Sequence, residues 1–263
     1  MSSDPTDPHR FHVRPTLREP VLVLALEGWN DAGEAASTAA RYLAAQLAAA
    51  PLAELDAEVF FDFTVRRPQV VVEDGVARRL EWPVSRFLYA PAGDARDVVI
   101  GLGVEPHLRW RTWSDHVLRL VEGLGIRRAV LLGAYLAEVL YSRPVEVTGV
   151  ANADGLLRRL GVAPARYAGP SGMLGVLGQR LREVACETLS LWAGLPHYIE
   201  LAPNARGSLA LLERAASYLG VAIDLEPMRR AARECEQRVA AMVSGDPELS
   251  EYVRELKRRE FAS

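Results

Sequence analysis

The sequence of 263 residues is poor in lysine and cysteine. Lys257 is its single lysine and lies in a charged C-terminal stretch, so neither a phosphate-loop lysine nor a Schiff-base lysine is expected. Cys186 and Cys235 are far apart in apolar stretches, which predicts two reduced core thiols rather than a zinc-binding pair. We therefore expect neither a metal nor a cofactor.

Membrane-spanning and strongly charged segments are also lacking. The N-terminal segment MSSDPTDPHR has no apolar core of the kind a signal peptide needs. No apolar run approaches the roughly 20 residues that cross a bilayer. The formal net charge of −3 gives no strong attraction to nucleic acid or to anionic lipid. These absences predict a cytoplasmic protein that binds neither a membrane nor nucleic acid.

Strand-like and helix-like segments alternate along most of the chain. The run VLVLAL at 21–26 is typical of a strand that is buried on both faces. Apolar residues spaced three to four apart predict helices, for example over 107–124. The alternation predicts a three-layer α/β/α fold with a mostly parallel sheet. Further strands are predicted at 58–63, 84–90, 97–105, 127–136, 143–151 and 186–196.

Three regions follow from this pattern. Residues 1–20 carry four prolines and are expected to form an extended arm. Residues 21–202 form the α/β core, and 203–263 form a C-terminal helical extension. Within the core, Asp74-Gly75 separates two extended segments, which predicts an antiparallel hairpin at an edge of the sheet.

The helical extension contains an apolar stripe with a seven-residue step. Gly245 ends the first helix, and Asp246-Pro247 supplies a cap and a first-turn proline for the next. The stripe fits two interpretations, a helical hairpin packed on its own domain or a contact between subunits. Its members are Leu225, Met228, Ala232, Cys235, Val239 and Met242, of which Leu225, Met228, Val239 and Met242 are candidates for an oligomer contact.

Candidate binding residues lie in the loops that follow the predicted strands. In an open parallel sheet, ligands bind beyond the carboxyl ends of the strands, where these loops meet. The sequence contains no complete catalytic motif, so the catalytic residues stay unassigned. The candidates for binding a ligand or a partner are Glu27, Trp29, Asn30, Asp31, Glu105, Arg109, Glu138, Gly169, Ser171, Gly172 and His197.

The loop EGWNDAG at 27–33 has two interpretations. Its glycine spacing is similar to a phosphate loop, but the required Lys-Ser/Thr ending is absent and its acidic residues repel phosphate. We favour a strand-to-helix corner in which Gly28 and Gly33 permit the turn and Asp31 caps the helix. The alternative is a binding loop whose carboxylates contact a polar ligand or a partner, with Trp29 as the anchor.

The segment YAGPSGMLG at 167–175 is the better candidate for binding an anion. It lacks acidic residues and precedes a helix, whose free N–H groups attract negative charge. The alternative is a capped strand-to-helix junction without a ligand. Ser171 does not match a G-x-S-x-G elbow, because Met173 stands where the second glycine belongs. A hydrolase-like set of Ser171 and His197 with Glu105 or Glu138 is a further, weaker hypothesis.

Five segments of the chain together resemble the proteasome assembly chaperone 2 family, in its bacterial branch. They are ALEGWNDAGEAAS (25–37), GVEPHLRW (103–110), LLGAYLAEVLYSRPVEVTG (131–149), YAGPSGMLGVL (167–177) and LWAGLPHYIELAPN (191–204). The resemblance implies a fold like that of nucleoside phosphorylases with added C-terminal helices. It also implies self-association and binding to proteasome subunits.

In the eukaryotic and archaeal members of the family that the chain resembles, a C-terminal tail of hydrophobic residue, tyrosine and any residue can insert into pockets on the proteasome core ring. This chain ends in Glu260-Phe261-Ala262-Ser263 and departs from that pattern. The leading hypothesis is a non-enzymatic, homo-oligomeric interaction or assembly factor. The alternative is an enzyme of hydrolase, phosphorylase or ligase type that binds a small molecule or nucleotide at the carboxyl edge of the sheet.

Overall fold

The computed structural model describes residues 9–73, 77–92 and 96–262. Within these ranges the strands are β1 (His9–Phe11), β2 (Val21–Glu27), β3 (Ala50–Leu55), β4 (Gln69–Glu73), β5 (Ala77–Glu81), β6 (Ser85–Ala90), β7 (Val98–Val104), β8 (Arg128–Ala137), β9 (Val147–Ala151), β10 (Ala163–Pro164) and β11 (Glu187–Pro196). The helices are α1 (Ala35–Gln46), α2 (Trp110–Gly123), α3 (Leu156–Arg159), α4 (Met173–Glu183), α5 (Ala205–Leu219), α6 (Glu226–Gly245) and α7 (Pro247–Ala262).

Nine of these strands form one sheet in the order β1-β3-β6-β7-β2-β8-β11-β9-β10. The four central strands β7, β2, β8 and β11 are parallel. β6 and β9 join this centre antiparallel, one on each side. The predicted mostly parallel sheet is therefore confirmed at its centre, with antiparallel strands added on both flanks.

Alternate residues of β2 enter two different cores, as expected for a strand covered on both faces. Val21, Val23 and Ala25 pack in one buried cluster with α1 and α5. Leu22, Leu24 and Leu26 pack in the other with α2 and α4. Helices thus cover both faces of the sheet, which confirms the three-layer α/β/α architecture.

The predicted strand at 58–63 is wrong. This stretch contains a turn, in which Phe60 and Phe61 are both buried. The carbonyl of Phe60 accepts hydrogen bonds from the N–H groups of His107 and Leu108, at 2.9 and 3.0 Å. The strand of this region is β3, which the sequence analysis missed. The predicted arm also contains β1, which pairs antiparallel with β3 and so extends the sheet.

Two other predicted strands differ from the structure in extent or position. The strand predicted at 143–151 begins only at Val147. The predicted hairpin exists as β4 and β5, but these strands form a separate two-stranded sheet instead of an edge of the main one. Its Asp74-Gly75 turn lies outside the described residues.

Helices α5, α6 and α7 form the C-terminal region, and α5 itself belongs to the core. Leu211 and Leu212 of α5 lie in the same buried cluster as α1. Asp246 accepts hydrogen bonds from the backbone N–H groups of Glu248 and Leu249, at 2.9 and 3.1 Å, which confirms the predicted cap of α7. No helix among the described residues has both the length and the apolar composition needed to cross a membrane.

The apolar stripe of α6 packs within the chain, as in the first of the two interpretations. Met228 joins the cluster beneath α1 and α5, and Val239 joins a smaller cluster with α7. Leu225 is half-buried against the first of these clusters. Met242 is exposed and Val243 takes the buried position on α6, so a contact of Met242 with another subunit stays a prediction.

Candidate functional site

The carboxyl ends of β2 and β7 lie side by side at the centre of the sheet, and the region between the loops that follow them is named the crevice. The helices that follow these strands, α1 and α2, cover opposite faces, which is the arrangement that leaves space between neighbouring loops. The backbone N–H of Glu105 donates to the carbonyl of Glu27 at 2.8 Å. Gly28 has a positive φ of 117° and turns the chain beside the Glu105 side chain.

The Glu105 carboxylate connects this crevice to the start of α4. Its Oε1 accepts hydrogen bonds from Asn30 Nδ2 and from the backbone N–H of Met173, both at 2.6 Å. Met173 is the first residue of α4, so the carboxylate stands where the helix attracts negative charge. The chain thus supplies an anion of its own at the loop that the sequence indicated as an anion site.

Asn30 is buried between this carboxylate and the loop before α4. A Cβ atom on Gly172 would lie only 2.2 Å from Asn30 Nδ2, so any larger residue there has to displace the Asn30 side chain. The backbone carbonyl of Asn30 accepts a bond from the N–H of Ala134 in β8, at 2.8 Å. Asn30 therefore ties the loops after β2 and β7 to β8, while its own Oδ1 is buried with no hydrogen-bond partner among the described residues.

Asp31 caps α1, as the sequence predicted. Its Oδ1 accepts hydrogen bonds from the backbone N–H groups of Ala36 at 2.7 Å and Ser37 at 3.2 Å. Burial raises the pKa of Asp31, and the bonds from Ser37 and Ala36 together with the charge of Arg41 oppose that rise. Gly33 has a φ of +56°, and its carbonyl accepts from the N–H of Asn204 at 2.7 Å.

Two arginines neutralise Glu27 at the end of β2. Its carboxylate oxygens pair with Arg41 and Arg66, each at 2.9 Å. The pair with Arg66 fixes the segment before β4 beside the crevice. The neighbouring Trp29 is largely exposed, as an anchor for a partner requires. Arg109 is exposed and adopts a positive φ of 52° immediately before α2.

Glu138 and His197 belong to a second group, at the ends of β8 and β11. Glu138 pairs with Arg259 of α7 at 3.2 Å. His197 Nδ1 lies 3.2 Å from the carbonyl of Ala137, and its ring packs edge-on against Tyr198 and Tyr252. Burial raises the pKa of the Tyr198 hydroxyl, which donates to the carbonyl of Val139 at 3.0 Å.

A cleft of about 550 Å³ lies between this second group and α7. Its lining combines apolar and charged side chains, with Arg206 bonded to the backbone carbonyls of Tyr141 and Arg143. A second ion pair, Arg143 with Glu260 at 3.4 Å, links the loop after β8 to α7. Lining residues include Glu138, Leu140, Arg143, Arg206, Leu256 and Arg259.

The hydrolase-like set does not assemble. Ser171 Oγ donates to the neighbouring carbonyl of Gly172 at 3.2 Å, and Gly169 packs against Tyr167. No hydrogen bond or ion pair in the described part of the chain joins Glu105 or Ser171 to Glu138 or His197. The described residues also contain no cluster of three histidine, cysteine or acidic side chains suited to a metal ion.

Exposed apolar side chains lie in several segments that follow strands of the sheet. Trp29 follows β2, Leu108 follows β7, Tyr135 and Leu136 lie at the end of β8, and Tyr167 precedes α4. Their exposed fractions range from 38% to 72%. Sequence analysis singled out only Trp29 among them as a contact anchor. The available signal was the position of large apolar residues at strand ends, where polar loop residues are usual.

Comparison with known proteins gives consistent matches over most of the chain. The PAC2 family model matches residues 25–243. A proteasome-assembly chaperone homologue from Mycobacterium tuberculosis is 40% identical, with a TM-score of 0.80 over 89% of this chain and 99% of that one. A PAC2 family protein from Streptomyces avermitilis is 36% identical, with the same TM-score and coverage.

A more distant structure shares the fold alone. It is an archaeal proteasome activator from Pyrococcus furiosus, 20% identical, with a TM-score of 0.72 over 89% of this chain and 97% of that one. No curated protein matches the sequence.

Proposed function

This chain belongs to the PAC2 family, and on that premise we propose that it is a homo-oligomeric, non-enzymatic assembly factor. Its partners are proteasome subunits, and its compartment is the cytoplasm. The similarity to a proteasome-assembly chaperone homologue supports this choice of partner. The surface that meets the partner is the apolar edge, defined as Trp29, Leu108, Tyr135, Leu136 and Tyr167.

The exposure of the apolar edge is the observation that carries the proposal. Trp29, Leu108, Tyr135 and Leu136 lie at the carboxyl ends of three adjacent parallel strands, and large apolar side chains that are exposed together mark protein-binding surfaces. Trp and Tyr dominate the binding energy of many interfaces, because they bury much area with few rotatable bonds. Trp29 and Tyr167, the two most exposed aromatic residues of the set, are the expected anchors.

The polar groups behind the apolar edge support a binding role over a catalytic one. Glu27, Asp31 and Glu105 are each engaged by groups of the chain itself. A general acid or base has to reach a substrate proton directly or through one water molecule. These carboxylates instead fix the loops that display the apolar edge.

The test is a pull-down with a tagged chain from lysate of its own host, followed by mass spectrometry. The test variants are Trp29→Ala and Leu136→Asp. The control is Val184→Asp, which changes an exposed valine that follows α4, at the opposite edge of the sheet. We expect the parent chain and the control to recover proteasome α or β subunits, and the two test variants to lose them. Recovery without proteasome subunits, or equal recovery by all variants, contradicts the proposal.

The cleft beside α7 favours a second candidate function, binding of a small polar molecule. Its volume of about 550 Å³ falls in the range of ligand sites, and it carries arginines together with apolar walls. A thermal-shift series with nucleotides, nucleosides and inorganic phosphate tests this function. A ligand of the cleft has to raise the melting temperature of the parent chain, and Arg143→Ala has to abolish that rise.

A further inference from the structure

The cleft beside α7 lies at the carboxyl ends of two neighbouring parallel strands. β8 and β11 pair in parallel, and the loop after β8, the end of β11 and α7 all contribute to the lining of the cleft. This edge of a parallel sheet is where ligands bind. The volume of about 550 Å³ accommodates a small organic molecule. The charges of the lining indicate which class of molecule fits.

Four of the six charged residues that line the cleft pair with one another. Glu138 pairs with Arg259 at 3.2 Å, and Arg143 pairs with Glu260 at 3.4 Å. Both pairs join the loop after β8 to α7, so each of these carboxylates already meets a guanidinium group of the chain itself. These four residues therefore present little net charge to a ligand.

The other two charged residues of the lining, Arg206 and Glu146, are opposite in charge and do not pair. In the part of the chain that the structure describes, neither has an ion pair, so their charged atoms lie more than 4.0 Å apart. The guanidinium of Arg206 donates to the backbone carbonyls of Tyr141 and Arg143, which are neutral acceptors. Its positive charge is therefore not balanced by a carboxylate.

The chain holds both of these residues in place. The two carbonyl bonds fix the guanidinium of Arg206, which is half-buried and keeps further N–H donors. The backbone carbonyl of Glu146 accepts a hydrogen bond from the N–H of Gly194 in β11 at 3.0 Å, while the Glu146 side chain is exposed. One cleft thus presents a positive and a negative group that do not reach each other.

We propose that the cleft binds a small zwitterion with an apolar side chain, an α-amino acid or a dipeptide. The carboxylate of the ligand accepts hydrogen bonds from Arg206, and its ammonium group donates to Glu146. Charge-assisted bonds of both kinds are about twice as strong as neutral ones, and a guanidinium group matches the geometry of a carboxylate. The inference rests on the second candidate function, binding of a small polar molecule in the cleft, and names the class of that molecule.

The apolar part of the lining accommodates the side chain of the ligand. Leu140 and Leu256 contribute to opposite walls, from the loop after β8 and from α7, and Pro196 ends β11 beside them. A ligand that carries only negative charge uses Arg206 but is repelled by Glu146. A zwitterion with an apolar side chain uses both charges and the apolar walls.

The first test measures dissociation constants by saturation-transfer NMR, which detects weak binding. Leucine and leucylleucine are each compared with a form acetylated at the amino group and a form amidated at the carboxyl group, so that each analogue lacks one charge. We expect the better of the two zwitterions to bind at least about tenfold more tightly than either of its analogues. If neither zwitterion binds, or if the analogues bind as tightly, the proposal is overturned.

The second test assigns each charge of the ligand to a residue. Glu146→Gln keeps the shape of the side chain and removes the charge that meets the ammonium group. We expect this variant to lose the preference for the zwitterion over its acetylated form and to keep the preference over its amidated form. Arg206→Gln should show the reverse, and its melting temperature is measured alongside because it also loses bonds to the loop.

The control is Glu122→Gln, at an exposed glutamate of α2 outside the cleft, which is expected to keep both preferences. A Glu146→Gln variant that discriminates between the ligands like the parent chain overturns the assignment. Leucylleucine separates the two sources of this chemistry, because its charges are farther apart than those of leucine. Tighter binding of leucylleucine assigns the cleft to dipeptides, and tighter binding of leucine assigns it to single amino acids.

The outcomes separate this inference from the proposed function. If nucleotides, nucleosides or phosphate raise the melting temperature while neither zwitterion binds, the inference is overturned and the second candidate function stands. If no ligand of either series binds, both are overturned. Neither outcome affects proteasome binding, which the pull-down with the apolar-edge variants measures independently.

Discussion

The carboxylate of Glu105 and the backbone N–H of Met173 are joined by a 2.6 Å hydrogen bond across 68 residues of sequence. The bond places a fixed negative charge at the first residue of α4. Charge-assisted bonds of this kind are about twice as strong as neutral ones, and they also satisfy a free N–H of the first helical turn. The loop after β7 and the start of α4 are therefore held together by electrostatics as well as by packing.

Replacing Glu105 with glutamine tests this attachment. The glutamine side chain keeps the shape and one acceptor oxygen but loses the charge, so we expect Glu105→Gln to lower the free energy of unfolding by about 1 kcal/mol. Urea titration followed by circular dichroism measures this change. Glu200→Gln, at an exposed glutamate, is the control and is expected to leave the midpoint unchanged. Equal midpoints for the two variants contradict the role given to the charge.

Gly33 and Gly220 form a matched pair for separating backbone strain from steric clash. Both have a positive φ, 56° and 71°. A Cβ on Gly33 would lie 2.9 Å from Asn204 Cβ and 3.1 Å from the carbonyl oxygen of Leu201, whereas a Cβ on Gly220 meets nothing within 4 Å. We expect Gly220→Ala to cost about 1 kcal/mol from strain alone, and Gly33→Ala about 2–3 kcal/mol in urea unfolding. If Gly33→Ala lowers the free energy of unfolding by no more than Gly220→Ala does, the loop at Gly33 can shift to make room for the added Cβ.

The pH dependence of stability reports on Asp31. Burial raises its pKa in the folded chain above the ordinary value of 3.8, so the native state binds this proton more readily than the unfolded state. The stabilisation that comes from binding this proton is therefore fully present below pH 3.8, and it is lost as the pH rises through the raised pKa of Asp31. Asp31→Asn lacks this titration. Urea unfolding between about pH 3.5 and 7 should show the parent chain gaining stability relative to Asp31→Asn as the pH falls. If the parent chain instead loses stability relative to Asp31→Asn as the pH falls, the hydrogen bonds of the cap lower the pKa of Asp31 more than burial raises it.

Several elements of the fold could be predicted from local patterns. The apolar run 21–26 corresponds to β2, because a strand buried on both faces is apolar throughout. The apolar spacing of three to four residues at 107–124 corresponds to α2, because a helix buried along one stripe has this period. The resemblance to the PAC2 family, drawn from motifs in five separate segments, is confirmed by the match over residues 25–243.

Within residues 50–63, the strand and the turn lie where local composition does not indicate them. The segment EVFFDF has the composition of a strand. In the structure it contains a turn, and the side chains of Phe60 and Phe61 in this segment are both buried. The actual strand β3 contains Pro51, which a strand tolerates at an irregularity, and its pairing with β6 shifts register between Pro51 and Ala53. Composition alone does not show which of two neighbouring segments finds a pairing partner.

The candidate site was predictable in position but not in its contacts. Ligands bind beyond the carboxyl ends of parallel strands, and this rule made Asn30, Glu105 and Gly172 candidates for one site. In the structure these three residues are in contact. The rule did not indicate that Glu105 would bond to the start of α4, since that contact depends on how loops 68 residues apart are placed by the sheet. His197 and Glu138 were candidates for the same site, yet they lie beside α7.

The packing of α6 gives a final comparison between two positions three residues apart. Val239 is 3% exposed in a cluster with Val253 and Leu256 of α7, whereas Met242 is 43% exposed. We expect Val239→Asp to lower the free energy of unfolding by about 3 kcal/mol or more, because a buried carboxylate without a partner is poorly tolerated. Met242→Asp should change it by less than about 0.5 kcal/mol, as surface substitutions do. Thermal and urea unfolding of the two variants measure the difference. If Met242→Asp is the more damaging change, Met242 is covered in solution, and α6 then contributes to a contact between subunits after all.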